Sequence, residues 1–129
     1  MNTTAGNNSI QDIGDQTKTE HAYMVILEAG LSGITGLEIQ AKCRVISGRN
    51  YPSDIKRELG IEMVKKWDAN SLDEGRHKRY WLVCRDDAEK LIREINNMRL
   101  CRGAEALPPD LTTSLLAAYP PASDYEGAL

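Results

Sequence analysis

The chain has 129 residues, 41% of them hydrophobic and 27% charged, which suits one soluble domain of modest size with little stability to spare. No run of about 18 apolar residues is present to span a bilayer. The first residues combine neither a basic start nor an apolar core of the secretory kind, so a cytoplasmic protein with no membrane partner is expected. The net charge of −3 conceals an asymmetry: residues 42–102 carry fifteen Lys and Arg against ten Asp and Glu, while residues 1–41 and 103–129 are each acidic by four charges. A basic middle on an acidic chain points to a nucleic-acid face, although any single Lys or Arg more often belongs to a solvated helix surface.

Residues 1–16 are dominated by Asn, Thr, Gly, Gln and Asp, a composition that buries too little to order and predicts a flexible N-terminal arm. Thr17 with Glu20 is a capping-box pattern, and Ala22, Tyr23, Val25, Ile26, Leu27 and Ala29 follow until Gly30 supplies a stop, so a first helix is expected there. Gly30, Gly33 and Gly36 are evenly spaced, but no Lys-Ser or Lys-Thr follows as a phosphate loop requires, and they read as turn residues. Thr35 and Glu38 form a second capping box, with Ile34 and Ile39 as its hydrophobic staple. Its helix has an open end, because Leu37 to Ile46 mixes helical with alternating spacing before Ser47-Gly48-Arg49-Asn50 breaks the pattern.

Pro52 suits the first turn of a third helix and Gly60 its end. Tyr51, Ile55 and Leu59 recur on one face, which leaves Ser53, Lys56 and Arg57 on the other and Arg49 and Asn50 at the leading edge. A guanidinium, an ammonium and short polar groups together supply the donors that base edges and phosphates need. The alternative, Lys56 and Arg57 pairing with Asp54 or Glu58, is about equally frequent for such a helix. Ile61, Met63 and Trp67 read as the apolar side of a strand, Asp68 to Gly75 as a polar tip, and Tyr80 to Val83 as a returning strand, which makes a hairpin. Lys65, Lys66, Arg76, Lys78 and Arg79 are its candidates for phosphate contact. Trp67 and Trp81 are read as packing groups rather than base-stacking ones. A two-residue side-chain period leaves the division of these cations between the two faces open.

Asp86 and Glu89 suggest a further cap. Ala88, Leu91, Ile92, Ile95 and Met98 then form an apolar stripe, for which core burial is favoured over a dimer seam. Beyond Gly103 two proline pairs, Pro108–Pro109 and Pro120–Pro121, enclose Leu111, Leu115, Leu116 and Tyr119. A largely unfolded acidic tail is expected, whose leucines could form a helical turn or two that dock onto a partner or back on the domain. Cys43, Cys84 and Cys101 fit neither a disulfide framework nor a zinc site; Cys43 and Cys84 read as small buried hydrophobes. His21 and His77 stand near none of them in sequence, so no metal, no cofactor and no catalytic thiol is expected. An enzyme therefore ranks last among the functional classes.

The segments MVILEAGLSGITGLEI, YPSDIKRELGIEMVKKW and RYWLV resemble the small winged helix-turn-helix proteins often encoded by bacteriophages and prophages, over roughly residues 21–95. The resemblance implies an α+β fold of three helices, a hairpin wing and a C-terminal helix over 17–102, flanked by the arm and by the tail 103–129. It also implies sequence-specific binding to double-stranded DNA, with Ser53, Lys56 and Arg57 in the major groove and Arg76 and Lys78 on the backbone. A homodimer would suit recognition surfaces this small. The alternative is a protein-interaction module in which the acidic tail, residues 104–129, or a helix surface holds a host or phage protein. It draws on the net negative charge and on the link from Arg44 to Asn50, which is longer than a tight helix-turn-helix allows.

Overall fold

A computed structural model of the chain describes residues 16–67 and 78–121. Residues 1–15 of the expected arm, the hairpin tip with Arg76 and His77, and the end of the tail with Tyr125 lie outside the described residues. The described part is α+β, with five α-helices and one small antiparallel sheet of three strands.

Helix α1 (Lys18–Glu28) starts where its cap predicts, the Glu20 N–H donating to Thr17 Oγ1 at 3.1 Å. Half of the expected box is missing, because the Glu20 carboxylate turns inward to Arg102 instead of back to Thr17. A single helical turn at Gly30–Ser32 and Gly33, with φ of 75°, then lead into β1 (Ile34–Thr35). Gly33 has two reasons to lack a side chain: its backbone is left-handed, and a Cβ there would come within 2.8 Å of the Tyr80 carbonyl oxygen.

Helix α2 (Gly36–Cys43) carries the complete Thr35–Glu38 capping box. It ends at Cys43 with Arg44 left-handed at φ 55°, so the alternating residues Val45 and Ile46 belong to the link. Gly48 packs that link against the start of α2, where a Cβ would overlap the Gly36 carbonyl oxygen. A longer link is thereby folded back onto the helix it leaves.

Helix α3 (Asn50–Leu59) stops at Gly60, left-handed at φ 69°. Strands β2 (Val64–Trp67) and β3 (Lys78–Trp81) form the hairpin, and β1 adds to the outer side of β3, for the order β1-β3-β2. Two residues are too few for periodicity to reveal β1 in the sequence. Helix α4 (Arg85–Cys101) buries Ala88, Leu91, Ile92 and Ile95 in the core, as its stripe predicts. Its N-cap is Cys84, with Asp86 and Asp87 in the first turn, where carboxylates suit the positive end of the helix dipole.

The first part of the expected tail is ordered, and of the two dockings open to its leucines it takes the one back on the domain, as a regular helix of nine residues. Helix α5 (Pro109–Ala117) folds back on α4, with Leu107, Leu115 and Tyr119 buried. Tyr119 is only 1% exposed, and its hydroxyl donates to the Leu27 carbonyl at 2.7 Å. Arg85 holds the same segment, donating to the Leu116 and Tyr119 carbonyls at 3.2 and 3.0 Å. These apolar groups pack in the chain's own core. Cys43 and Cys84 are buried as read, and burial pushes the Cys43 thiol up. Among the described residues no helix is long and apolar enough to cross a membrane.

Candidate nucleic-acid interface

The rotation of α3 is set by burial of Pro52 and Ile55, which turns Ser53, Lys56 and Arg57 outward with Arg49 and Asn50 at the helix start. Ser53 and Lys56 line a shallow cleft with Met63, Lys65 and Tyr80. The helix face and the hairpin therefore meet along one surface.

Pairing register divides the hairpin cations. Lys65 stands opposite Tyr80 and Trp67 opposite Lys78, while Val64 faces Trp81 and Lys66 faces Arg79. Directly opposed residues share a face and neighbours alternate, so Lys65 and Lys78 lie with Trp67 and Tyr80 on the side turned to α3. Lys66 and Arg79 lie on the other side with Trp81. Two cation–π contacts follow this division: Lys78 Nζ is 5.0 Å from the Trp67 ring centre and Lys66 Nζ is 6.0 Å from that of Trp81.

The cations differ in how firmly they are held. Arg79 donates to the Gly33 carbonyl at 3.0 Å and to Glu38 Oε1 at 3.3 Å, bracing β3 against the capping box of α2. On α3, Arg57 Nη2 donates to Asp54 Oδ1 at 2.6 Å and Nε to Glu58 Oε2 at 3.3 Å. These hydrogen bonds, Asp54's first, strengthen the guanidinium's hold on its proton. Lys56 Nζ reaches Glu62 Oε2 at 3.4 Å. The pairing weighed for Lys56 and Arg57 is thus present, with Glu62 as the partner of Lys56. Both pairs stand in solvent, where such contacts contribute little and a phosphate competes well.

Trp67 departs from its expected packing role, being 64% exposed. The strand pattern of Ile61, Met63, Lys65 and Trp67 places it on the inward side, but four residues past Met63 the strand has run about 13 Å beyond the core. Its position beside the polar tip was the available signal. Nothing in its sequence context marks Tyr80 as part of a site. It lines the cleft because Ile34 of β1 pairs with it and seats β3 against the core.

Arg76 lies outside the described residues. The structure thus gathers Ser53, Lys56, Lys65 and Lys78 on the α3 side, with Arg49, Asn50 and Arg57 on the exposed helix, and separates Lys66 and Arg79 from them. No known protein family, characterised protein or solved structure matches the chain.

Proposed function

We propose that the protein is a winged helix-turn-helix regulator of the phage type that binds double-stranded DNA sequence-specifically, with α3 in the major groove and the β2–β3 wing on the sugar–phosphate backbone. The observation that carries this reading is the element order α1-β1-α2-α3-β2-β3 with sheet order β1-β3-β2, which sets Ser53 and Lys56 of α3 beside Lys65 of the wing. Outward donors on a helix and cations on an adjoining hairpin answer to base edges and phosphates respectively.

The test is a fluorescence-anisotropy titration of labelled duplexes, one from the DNA upstream of the protein's own coding sequence and one scrambled. Arg49, Lys56, Arg57, Lys65 and Lys78 would release counterions, so affinity should fall about 500-fold across a fourfold rise in salt. Replacing both Lys56 and Arg57 by Ala should weaken binding about thirtyfold and erase the preference for its own DNA. Unchanged affinity in that double variant would remove α3 from the groove.

A further inference from the structure

The wing carries more aromatic surface than phosphate contact requires. On its α3-facing side Lys65 and Trp67 of β2 stand opposite Tyr80 and Lys78 of β3. The four make a two-by-two checkerboard, with the aromatics on one diagonal and the ammonium groups on the other. Diagonal neighbours in a sheet lie about 7–8 Å apart. Trp67 is 64% exposed and has Lys78 Nζ over one face of its ring, 5.0 Å from the centre, so a largely exposed indole carries an ammonium group on one face. Tyr80 continues the row into the cleft shared with Ser53 and Lys56.

We infer that this face of the wing binds unpaired DNA bases, stacking them on the Trp67 ring face away from Lys78 while Lys65 and Lys78 take the adjoining phosphates. The inference rests on the DNA-binding reading and extends it to the kind of DNA preferred: a duplex with an adjoining single strand. In a closed duplex the base faces are covered by their neighbours, and an exposed indole has only edges and sugars to meet. Where bases are unstacked, a ring with cations beside it gains both stacking and charge, without regard to sequence. Lys56 and Ser53 remain on the neighbouring helix to engage the paired part, so the two contacts are adjacent on one surface.

The experiment uses the full chain and three labelled probes: a closed duplex, the same duplex with an oligothymidine tail, and oligothymidine alone. The tail should raise affinity about tenfold over the closed duplex. Trp67→Ala should bring the two affinities together, and Trp67→Phe should keep most of the difference. Lys56→Ala should weaken both duplex probes in parallel and leave their ratio standing. Equal binding of tailed and closed duplex by the unaltered protein, or a tail effect that survives Trp67→Ala, overturns this inference and leaves duplex recognition intact. Failure of all three probes to bind overturns both.

Discussion

Two ends of this molecule use the same chemistry, arginine against carboxylate, to opposite effect. Where α1 meets α4, Arg102 Nε and Nη2 donate to the two Glu20 oxygens at 2.9 and 3.0 Å, and Arg99 and Gln16 reach Oε2 at 3.5 and 3.3 Å. The Glu20 side chain is 0% exposed. At the α3 end, the Arg57–Asp54 pair is shorter at 2.6 Å, yet Arg57 is 66% exposed. Distance alone would rank the second contact higher. Desolvation reverses the order, because breaking a buried pair strands a charge out of water, whereas an exposed pair exchanges its partner for solvent or phosphate. One end is committed to the fold and the other is available to a ligand.

The largest effects should come from breaking the committed end. Tyr119→Ala removes a fully buried ring and the hydrogen bond to Leu27 that ties α5 to α1, and should cost about 4 kcal/mol in urea unfolding. Tyr119→Phe isolates the hydroxyl and should cost about 1 kcal/mol. If Tyr119→Ala unfolds with the stability of the unaltered chain, the residues after Gly103 are a tail after all.

Glu20→Gln tests the clasp itself and should cost about 3 kcal/mol at neutral pH. Burial raises the Glu20 carboxyl, but hydrogen bonding and charge from Arg102, with Gln16 and Arg99, outweigh it and hold the group below its ordinary value of 4.5. A folded-state value below the unfolded one means that the unfolded chain takes up the proton first as pH falls. The contribution of Glu20 is therefore complete above 4.5 and is lost as the pH drops below it. Urea midpoints measured on either side of 4.5 should converge between Glu20→Gln and the unaltered chain on the acid side. A constant gap would show that the site acts through packing rather than charge.

The committed end was also the harder one to read in the sequence. Signals that operate within one turn, such as Thr35 with Glu38 or Gly60 after Leu59, located α2 and α3 closely. In the sequence Glu20 reads as a local cap because Thr17 lies three residues away, whereas the partner that claims its carboxylate lies 82 residues along the chain. Tyr119 sits between prolines in an acidic stretch, and the groups that hold it, the Leu27 carbonyl and the Arg85 guanidinium, lie far from it along the chain. At the available end the outward residues of α3 followed directly from helical periodicity. The division of Lys65 and Lys78 from Lys66 and Arg79 did not, because it depends on strand register and on the two-residue strand β1.

The smallest effect sharpens the comparison from the available side. Asp54 holds Arg57 in the free protein and also adds a negative charge at the edge of the face proposed to meet phosphate. Asp54→Asn should leave stability nearly unchanged, since the pair is largely in solvent, and should raise affinity for scrambled duplex about threefold by removing both the competitor and the repulsion. A carboxylate that holds a guanidinium also orients it, so the same change should narrow the preference for the protein's own DNA over the scrambled duplex. The double-mutant cycle with Arg57→Ala separates the two roles. If Asp54→Asn raises affinity equally in the Arg57→Ala background, the carboxylate acts only as a charge at the rim. If the gain and the loss of preference both vanish there, Asp54 acts through Arg57, and the exposed pair is the resting state of the residue that would read the base.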